Sequence, residues 1–180
     1  YPGTKVLTLT GDVVNRTFFE VPTDTTIRDV VFTFGGGVRD GKRFKAVQIG
    51  GTSGAFIPES LLDTRVAFDD MNAIGATLGS GATFVMDETR DIVDVVTRIM
   101  KFFEHESCGK CTPCREGTAR MHELMEKINE GQGSDKDTAL LNKLGNVMTY
   151  SCLCGLGQAS PAPALTTIKH FAADYQAKMK

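Results

Sequence analysis

The sequence predicts an α+β fold in two parts, a small sheet-forming part over residues 1–87 and a helical part over residues 88–180. Three observations predict it. Short alternating apolar stretches punctuated by glycine fill the first part. Apolar residues recurring at i, i+3, i+4 and i+7 fill the second. The composition also changes between them: residues 1–87 hold 12 of the 19 glycines and no cysteine, whereas residues 88–180 hold all five cysteines and all three histidines. The chemistry is therefore expected in the second part.

Within the first part, Lys5–Thr10 alternates apolar and polar residues and ends at Gly11-Asp12, which predicts a strand. Arg16–Val21, rich in β-branched and aromatic residues, is predicted to pair with it as a hairpin. Thr26 followed by Asp29 is a capping-box pattern, continued at helical spacing by Ile27, Val30, Val31 and Phe34 and stopped by Gly35-Gly36-Gly37. A third strand is predicted over Arg43–Ile49, a short helix over Asp69–Ile74 and a last strand over Thr83–Met86. Strand, strand, helix, strand and late strand is the order of a ubiquitin-like β-grasp domain. Gly50-Gly51-Thr52-Ser53-Gly54 and Gly79-Ser80-Gly81 match neither G-x-x-x-x-G-K-[ST] nor G-x-G-x-x-G, so they are expected to be tight turns and close backbone packing rather than phosphate loops.

Four apolar stripes mark the second part. They are Ile92, Val95, Val96, Ile99 and Phe103; Met121, Leu124, Met125 and Ile128; Leu140, Leu141, Leu144, Val147 and Met148; and Leu165, Ile168, Phe171, Ala172, Tyr175 and Met179. Each buries one face of a helix, and four such helices predict a small bundle. Ser134 with Asp137 is a second capping-box pattern, and Ser160-Pro161 places a cap residue before a proline at a first helical position.

The charge balance excludes some functions. With 20 basic and 22 acidic residues the net charge is −2, without the basic excess of a nucleic-acid-binding surface. The 41% hydrophobic content is too high for a disordered chain. No apolar run approaches a membrane span, and no secretory leader pattern opens the sequence. Because it opens on Tyr1 rather than Met, the chain is expected to be a piece of something longer.

Cys108, Cys111 and Cys114 form C-x-x-C-x-x-C, and Cys152 and Cys154 follow roughly 40 residues later. Three thiols at three-residue steps can occupy three corners of a [4Fe–4S] cube, with one remote thiol on the fourth. Zinc more often takes two separated C-x-x-C pairs. The spacing thus favours an iron–sulfur cluster over zinc and over unligated thiols. Thr112-Pro113 reads as a helix cap followed by proline, which places Cys111 just outside a helix and Cys114 in its first turn, where free N–H groups favour thiolate. Gly109 lets the backbone approach the sulfurs closely, and Arg115 and Lys110 add positive charge. Either Cys152 or Cys154 could supply the fourth ligand. His105 lies near the cysteines but reads as a surface or helix-end histidine, and His122 and His170 lack ligand spacing and read as structural.

The run Glu106-Ser107-Cys108-Gly109-Lys110-Cys111-Thr112-Pro113-Cys114-Arg115-Glu116-Gly117 resembles the cluster motif E-S-C-G-x-C-x-P-C-R-x-G of the flavin- and NADH-binding subunits of respiratory complex I and of NAD(P)-linked hydrogenases and formate dehydrogenases. Cys154-Gly155-Leu156-Gly157 resembles that family's C-x-L-G, and the surrounding Ser151–Gln158 is similar to the hydrogenase-type branch. Ala46-Val47-Gln48-Ile49-Gly50-Gly51 and Leu78-Gly79-Ser80-Gly81-Ala82 resemble the family's β-grasp (SLBB) segment.

The resemblance implies the C-terminal portion of such a subunit, residues 1–87 being the SLBB-like domain and 88–180 a four-helix [4Fe–4S] domain. It implies Cys108, Cys111, Cys114 and Cys154 as cluster ligands, leaving Cys152 as a spare thiol. Gly109, Arg115 and Leu156 are expected around the cofactor, with no catalytic residue in this stretch. In the complete subunit, hydride would pass from NAD(P)H to FMN in a preceding domain that nothing here resembles, and single electrons would pass on to the cluster. The implied partners are that flavin domain, a thioredoxin-like [2Fe–2S] subunit, and the other subunits of a hydrogenase, formate dehydrogenase or complex I. The expected location is the cytoplasm, or the cytoplasmic or matrix face of a membrane complex, without insertion. The rival readings are a zinc-stapled structural or interaction module, and a ligand-binding module in which the β-grasp does the work.

Overall fold

The computed structural model describes residues Gly3–Met179. The chain divides into two compact units, the first ending at Arg90 and the second beginning at Asp91. The described residues form an α+β chain of one five-stranded sheet and seven α-helices.

The first unit contains strands β1 (Thr4–Gly11), β2 (Thr17–Pro22), β3 (Phe44–Ile49), β4 (Ala55–Ile57) and β5 (Ala82–Asp87), in the order β2-β1-β5-β3-β4. β1 and β2 form the predicted antiparallel hairpin, while β5 lies parallel to β1 and antiparallel to β3. The alternation seen in the sequence has its cause here: Leu7 and Leu9 are fully buried, while Thr8 and Thr10 face outward. β4 carries no alternation, because all three of its residues are buried, and so it left no periodic signal.

Thr26 and Asp29 form the expected box: the Asp29 N–H donates to Thr26 Oγ1 at 3.1 Å, and the Thr26 N–H donates to an Asp29 carboxylate oxygen at 3.3 Å. The turn that follows, Asp29–Phe34, is π-helical rather than α-helical, and it buries Val30 and Val31. Helix α1 spans Phe68–Ala73 and buries Met71. The two glycine loops are tight turns packed backbone to backbone. A Cβ on Gly79 would fall 2.6 Å from the Gly50 carbonyl oxygen.

The end of the sheet is fastened by charge. Asp12 is fully buried, and its carboxylate accepts from Arg90 at 2.6 and 2.7 Å, from Arg39 at 3.1 Å and from the Asp87 N–H at 3.3 Å. Asp87, also buried, accepts from Thr89 and pairs with Lys42 at 3.2 Å. These contacts lock the end of β1 to the end of β5 and to Arg90.

The second unit contains α2 (Ile92–Glu106), α3 (Thr112–Asn129), α4 (Asp135–Ser151), α5 (Gly155–Ala159), α6 (Ala162–His170) and α7 (Ala172–Gln176). The first two predicted stripes form core: Ile92, Val96 and Phe103 on α2, and Met121, Leu124, Met125 and Ile128 on α3, are buried. On α4, Leu141 and Met148 are buried, but Val147 is 51% exposed. The capping box at Ser134 and Asp137 forms as expected.

Three expectations need correction. The helix carrying the middle cysteines is capped by Cys111 rather than Thr112, so Pro113 falls inside the first turn, where its missing N–H has no intrahelical partner to lose. Pro161 itself, not Ser160, caps α6. The fourth stripe is two helices, broken at Phe171 (φ −128°, ψ 39°). The break exposes Ala172 and keeps Phe171 and Tyr175 inside. Buried Tyr175 exchanges a hydrogen bond with Thr167 at 2.7 Å across the break, which closes α7 back onto α6.

Asp12→Ala should lower the stability of the first unit by about 2–3 kcal/mol, because it strands Arg90 and Arg39 without their buried acceptor. The Arg90 guanidinium holds the Asp12 carboxyl below the usual carboxylate range. The contribution is therefore present above the unfolded carboxylate pKa (~3.9) and is lost as pH falls through the lower folded value. Urea melts of both proteins from acid to neutral pH should converge at the acid end and separate at neutral pH.

Candidate metal centre

Two loops of the second unit meet at one end of its helices. The first joins α2 to α3. Ser107 ends α2, Gly109 adopts a left-handed backbone (φ +73°), and Cys111 caps α3, with Cys114 in the first turn. Arg115 holds this loop by donating to the Gly109 carbonyl at 2.7 Å, and also contacts Glu116 at 2.9 Å. Ser107 Oγ accepts the Gly109 N–H at 3.3 Å and lies 3.3 Å from the Cys114 sulfur. Cys114 is buried, while Cys108 is exposed.

The second loop joins α4 to α5. Cys152 ends α4 and is buried, and Cys154 caps α5 and is exposed. Gln158 pins the loop by donating to the Cys152 carbonyl at 2.9 Å. Gly157 seats this loop against the first. A Cβ there would fall 2.6 Å from the Cys152 sulfur and 3.1 Å from the Cys114 Cβ, so only glycine permits the approach.

The loops share donors at the Cys111 sulfur. The N–H groups of Leu153 and then Cys114 hold the Cys111 thiol below its usual range. Burial pushes Cys152 up to about 11, with the charges of Cys111, Cys114 and Cys154 adding to the effect. The structure thus brings Cys111, Cys114 and Cys152 together, with Cys154 near enough to act on Cys152 and Cys108 out on the first loop. Leu156 lies part-buried on α5. Arg115 acts on backbone, so its visible part is to shape the cysteine loop. Sequence reasoning missed two contributors. The Leu153 N–H has no side-chain signature, whereas Cys152 was visible but could not be placed by spacing alone.

His105 is exposed near the end of α2. His122 is buried on α3, its Nδ1 2.6 Å from Glu104 of α2, so it ties those two helices together and takes no part in the thiol cluster. Among the described residues, no three His, Cys, Asp or Glu side chains stand in the arrangement of a single-ion site. The donor chemistry here fits the cube: thiols on two loops, the N-terminus of the 18-residue α3, and N–H groups already directed at sulfur.

Residues 94–178 match the family model described as the NADH-ubiquinone oxidoreductase-F iron–sulfur binding region. The NADP-reducing hydrogenase subunit HndC of Solidesulfovibrio fructosivorans is 42% identical over 175 residues, 97% of this chain and 36% of the relative. An NADH-quinone oxidoreductase subunit of Rhizobium meliloti (strain 1021) is 36% identical over 179 residues, 99% of this chain and 42% of the relative. This chain belongs to that family of NADH-binding subunits of complex I and hydrogenases. The family's fold extends over both units: a crystal structure of NAD+-reducing [NiFe]-hydrogenase superposes with a TM-score of 0.87 at 32% identity, covering 99% of this chain and 30% of that one. The chain spans less than half the length of these relatives. A [4Fe–4S] cluster is the group such a region binds, and the zinc-stapled alternative finds no support.

Gly157→Ala should force the two loops apart, since overpacking of a filled site costs ~1–3 kcal/mol. Iron bound per chain after anaerobic reconstitution should fall, and the thermal midpoint with it. Unchanged iron content would mean that the loops need no such close approach.

Proposed function

We propose that this chain is the electron-relay portion of an NAD(P)H-linked oxidoreductase subunit, and that Cys108, Cys111, Cys114 and Cys154 hold its [4Fe–4S] cluster. When bound, the cluster supplies one-electron redox chemistry. The observation that carries the reading is the meeting of the Cys108–Cys114 loop with the Cys152–Gly157 loop, inside the stretch matched by the iron–sulfur family model.

The residues divide the work. The N–H groups of Leu153 and Cys114 favour the thiolate of Cys111. Buried Cys114 has Ser107 beside its sulfur, and Arg115 holds the Gly109 carbonyl so that the first loop keeps its shape. Exposed Cys108 and Cys154 sit at the open side of the site, where ligands can close on a cluster assembled from solution. Gly109, Arg115 and Leu156 form the surroundings of the cofactor.

The finer fold reading belongs to the same proposal. The sheet order, with β1 and β5 parallel and Asp29–Phe34 following the first hairpin, supports a β-grasp domain over residues 1–87. α2, α3, α4 and the α6–α7 pair support a four-helix bundle over residues 88–180. FMN and the nicotinamide cofactor, NAD or NADP, would bind elsewhere in the complete subunit. Its partners would include the flavin domain, a thioredoxin-like [2Fe–2S] subunit and the remaining subunits of a hydrogenase, formate dehydrogenase or complex I. Val147, Tyr150 and Leu153 are 51%, 87% and 72% exposed on the end of α4 and the loop that follows it, an apolar surface that suits docking against protein. No helix among the described residues is long and apolar enough to cross a membrane; a cytoplasmic location, or the cytoplasmic or matrix face of a complex, accords with the reading.

Purified without oxygen, the chain should be brown, carry about four iron and four sulfide in keeping with a cubane, and bleach with dithionite. A colourless, zinc-loaded chain would overturn the proposal. Cys154→Ser should impair cluster assembly and Cys152→Ser should not; the opposite pair of results would reassign the fourth ligand. FMN should not bind tightly to this chain, which fluorescence titration would check.

A further inference from the structure

We propose that His122 and Glu126 form a binding site for a divalent metal ion of the zinc type, oriented by Glu104 and separate from the thiols. The site stands apart from the cluster assignment: His122 lies two turns along α3 from Cys114, about 12 Å at 1.5 Å per residue.

His122 is 8% exposed, and both of its ring nitrogens face carboxylates. Nδ1 lies 2.6 Å from Glu104 of α2. A carboxylate only accepts, so Nδ1 carries the proton of that bond. Nε2 lies 3.3 Å from an oxygen of Glu126, one turn further along α3, yet makes no hydrogen bond although the atom is buried. A nitrogen lone pair against a carboxylate oxygen is repulsive unless something positive stands between them. A proton on Nε2 does not fill that role, because Glu126 lies outside hydrogen-bond geometry for it. A metal ion instead holds its ligand atoms apart. At ~2.0–2.2 Å from zinc and at a tetrahedral angle, a nitrogen and an oxygen stand about 3.4 Å from each other. The observed 3.3 Å matches that separation.

The surroundings suit a cation. His122 and Glu126 line a surface hollow of about 340 Å³ with Glu104, Glu116 and Glu123, and Arg120 is the cation among its lining residues. Glu123 and Glu126 are exposed, so either carboxylate can turn to an ion without a change of backbone. Water or Glu123 fills the remaining positions. An imidazole nitrogen beside carboxylate oxygen is a donor set for zinc and its neighbours rather than for calcium or magnesium. Glu104 is a positioning residue. By taking the Nδ1–H it fixes the ring and leaves the Nε2 lone pair to the ion. Because Glu104 is on α2 and His122 on α3, an ion held there also fastens the helices that lead into and out of the cysteine loop.

The test is a calorimetric zinc titration of the full chain, reconstituted anaerobically with iron and sulfide, beside His122→Gln, Glu126→Gln and Glu104→Gln. Wild type should bind one more zinc than His122→Gln or Glu126→Gln, and zinc should raise its melting temperature more than theirs. Glu104→Gln should keep the site but bind ~10–100-fold more weakly, since it loses the partner that orients the imidazole. Each comparison is a difference from wild type, so zinc taken by unfilled thiols cancels. A chain that takes up no iron would therefore overturn the cluster assignment and leave this measurement intact. If His122→Gln does not fold, the exposed Glu126→Gln decides. Equal zinc binding by wild type and Glu126→Gln would overturn the proposal. So would loss in Glu126→Gln with retention in a folded His122→Gln, which would leave the ion on surface carboxylates. An unchanged affinity in Glu104→Gln would overturn its positioning part.

Discussion

A thiolate can bind metal only where its negative charge is supported, and the second unit is arranged around that requirement. Cys111 stands at the start of α3, where the first N–H groups of a long helix have no partners inside the helix. The Cys114 N–H turns to its sulfur from the same turn, and the Leu153 N–H reaches it from another loop. That second contact exists only because the two loops touch, and they touch because position 157 has no side chain. Without the close approach, the thiolate keeps only the donors of its own loop. The helical packing has the same dependence. Gly117 lets Met148 of α4 approach α3, and Gly145 makes room for Leu165 of α6, so the helices meet closely enough for their loops to converge.

The first unit meets a different constraint by a different means. Its sheet core is apolar, with Leu7, Leu9, Val47, Ile49 and Val85 fully buried. Yet the end of that sheet, where β5 leaves it, is closed by the buried carboxylates of Asp12 and Asp87 and the cations around them. Apolar contacts are tolerant of small slips, whereas a carboxylate that takes two bonds from one guanidinium fixes direction as well as distance. Arg90 is the last residue of the first unit, so the network sets the point from which the chain leaves it. Arg90 and Arg39 stay partly hydrated, which limits the desolvation cost of holding these charges together.

What could be read in advance followed the periodicity of burial. Leu7 and Leu9 alternate with threonines because one face of β1 is wet, and Ile92, Val96, Met100 and Phe103 recur because one face of α2 is dry. Ala55–Ile57 is buried on both faces and gave no pattern. The stripe from Leu165 to Met179 kept its period across the break at Phe171, since a change of chain direction there does not interrupt the order of apolar residues along the sequence. The cysteine spacing pointed to the chemistry, because three thiols so closely and evenly spaced have few other physical uses. It could not separate Cys152 from Cys154, since both lie within one short loop. Their surroundings differ: Cys152 ends α4 and is buried, whereas Cys154 caps α5 and is exposed.

That difference bears on how a site of this kind is assembled. A ligand must give up its proton to the metal, so cluster assembly is coupled to proton release. Burial pushes the Cys152 thiol up to about 11, with the sulfurs around it adding to the effect. Exposure at Cys108 and Cys154, with partial exposure at Cys111, leaves an open side through which iron and sulfide can enter. The buried side, built from Cys114, Cys152 and Gly157, is already packed. A site with one preformed wall and one open wall can accept a cluster without unfolding.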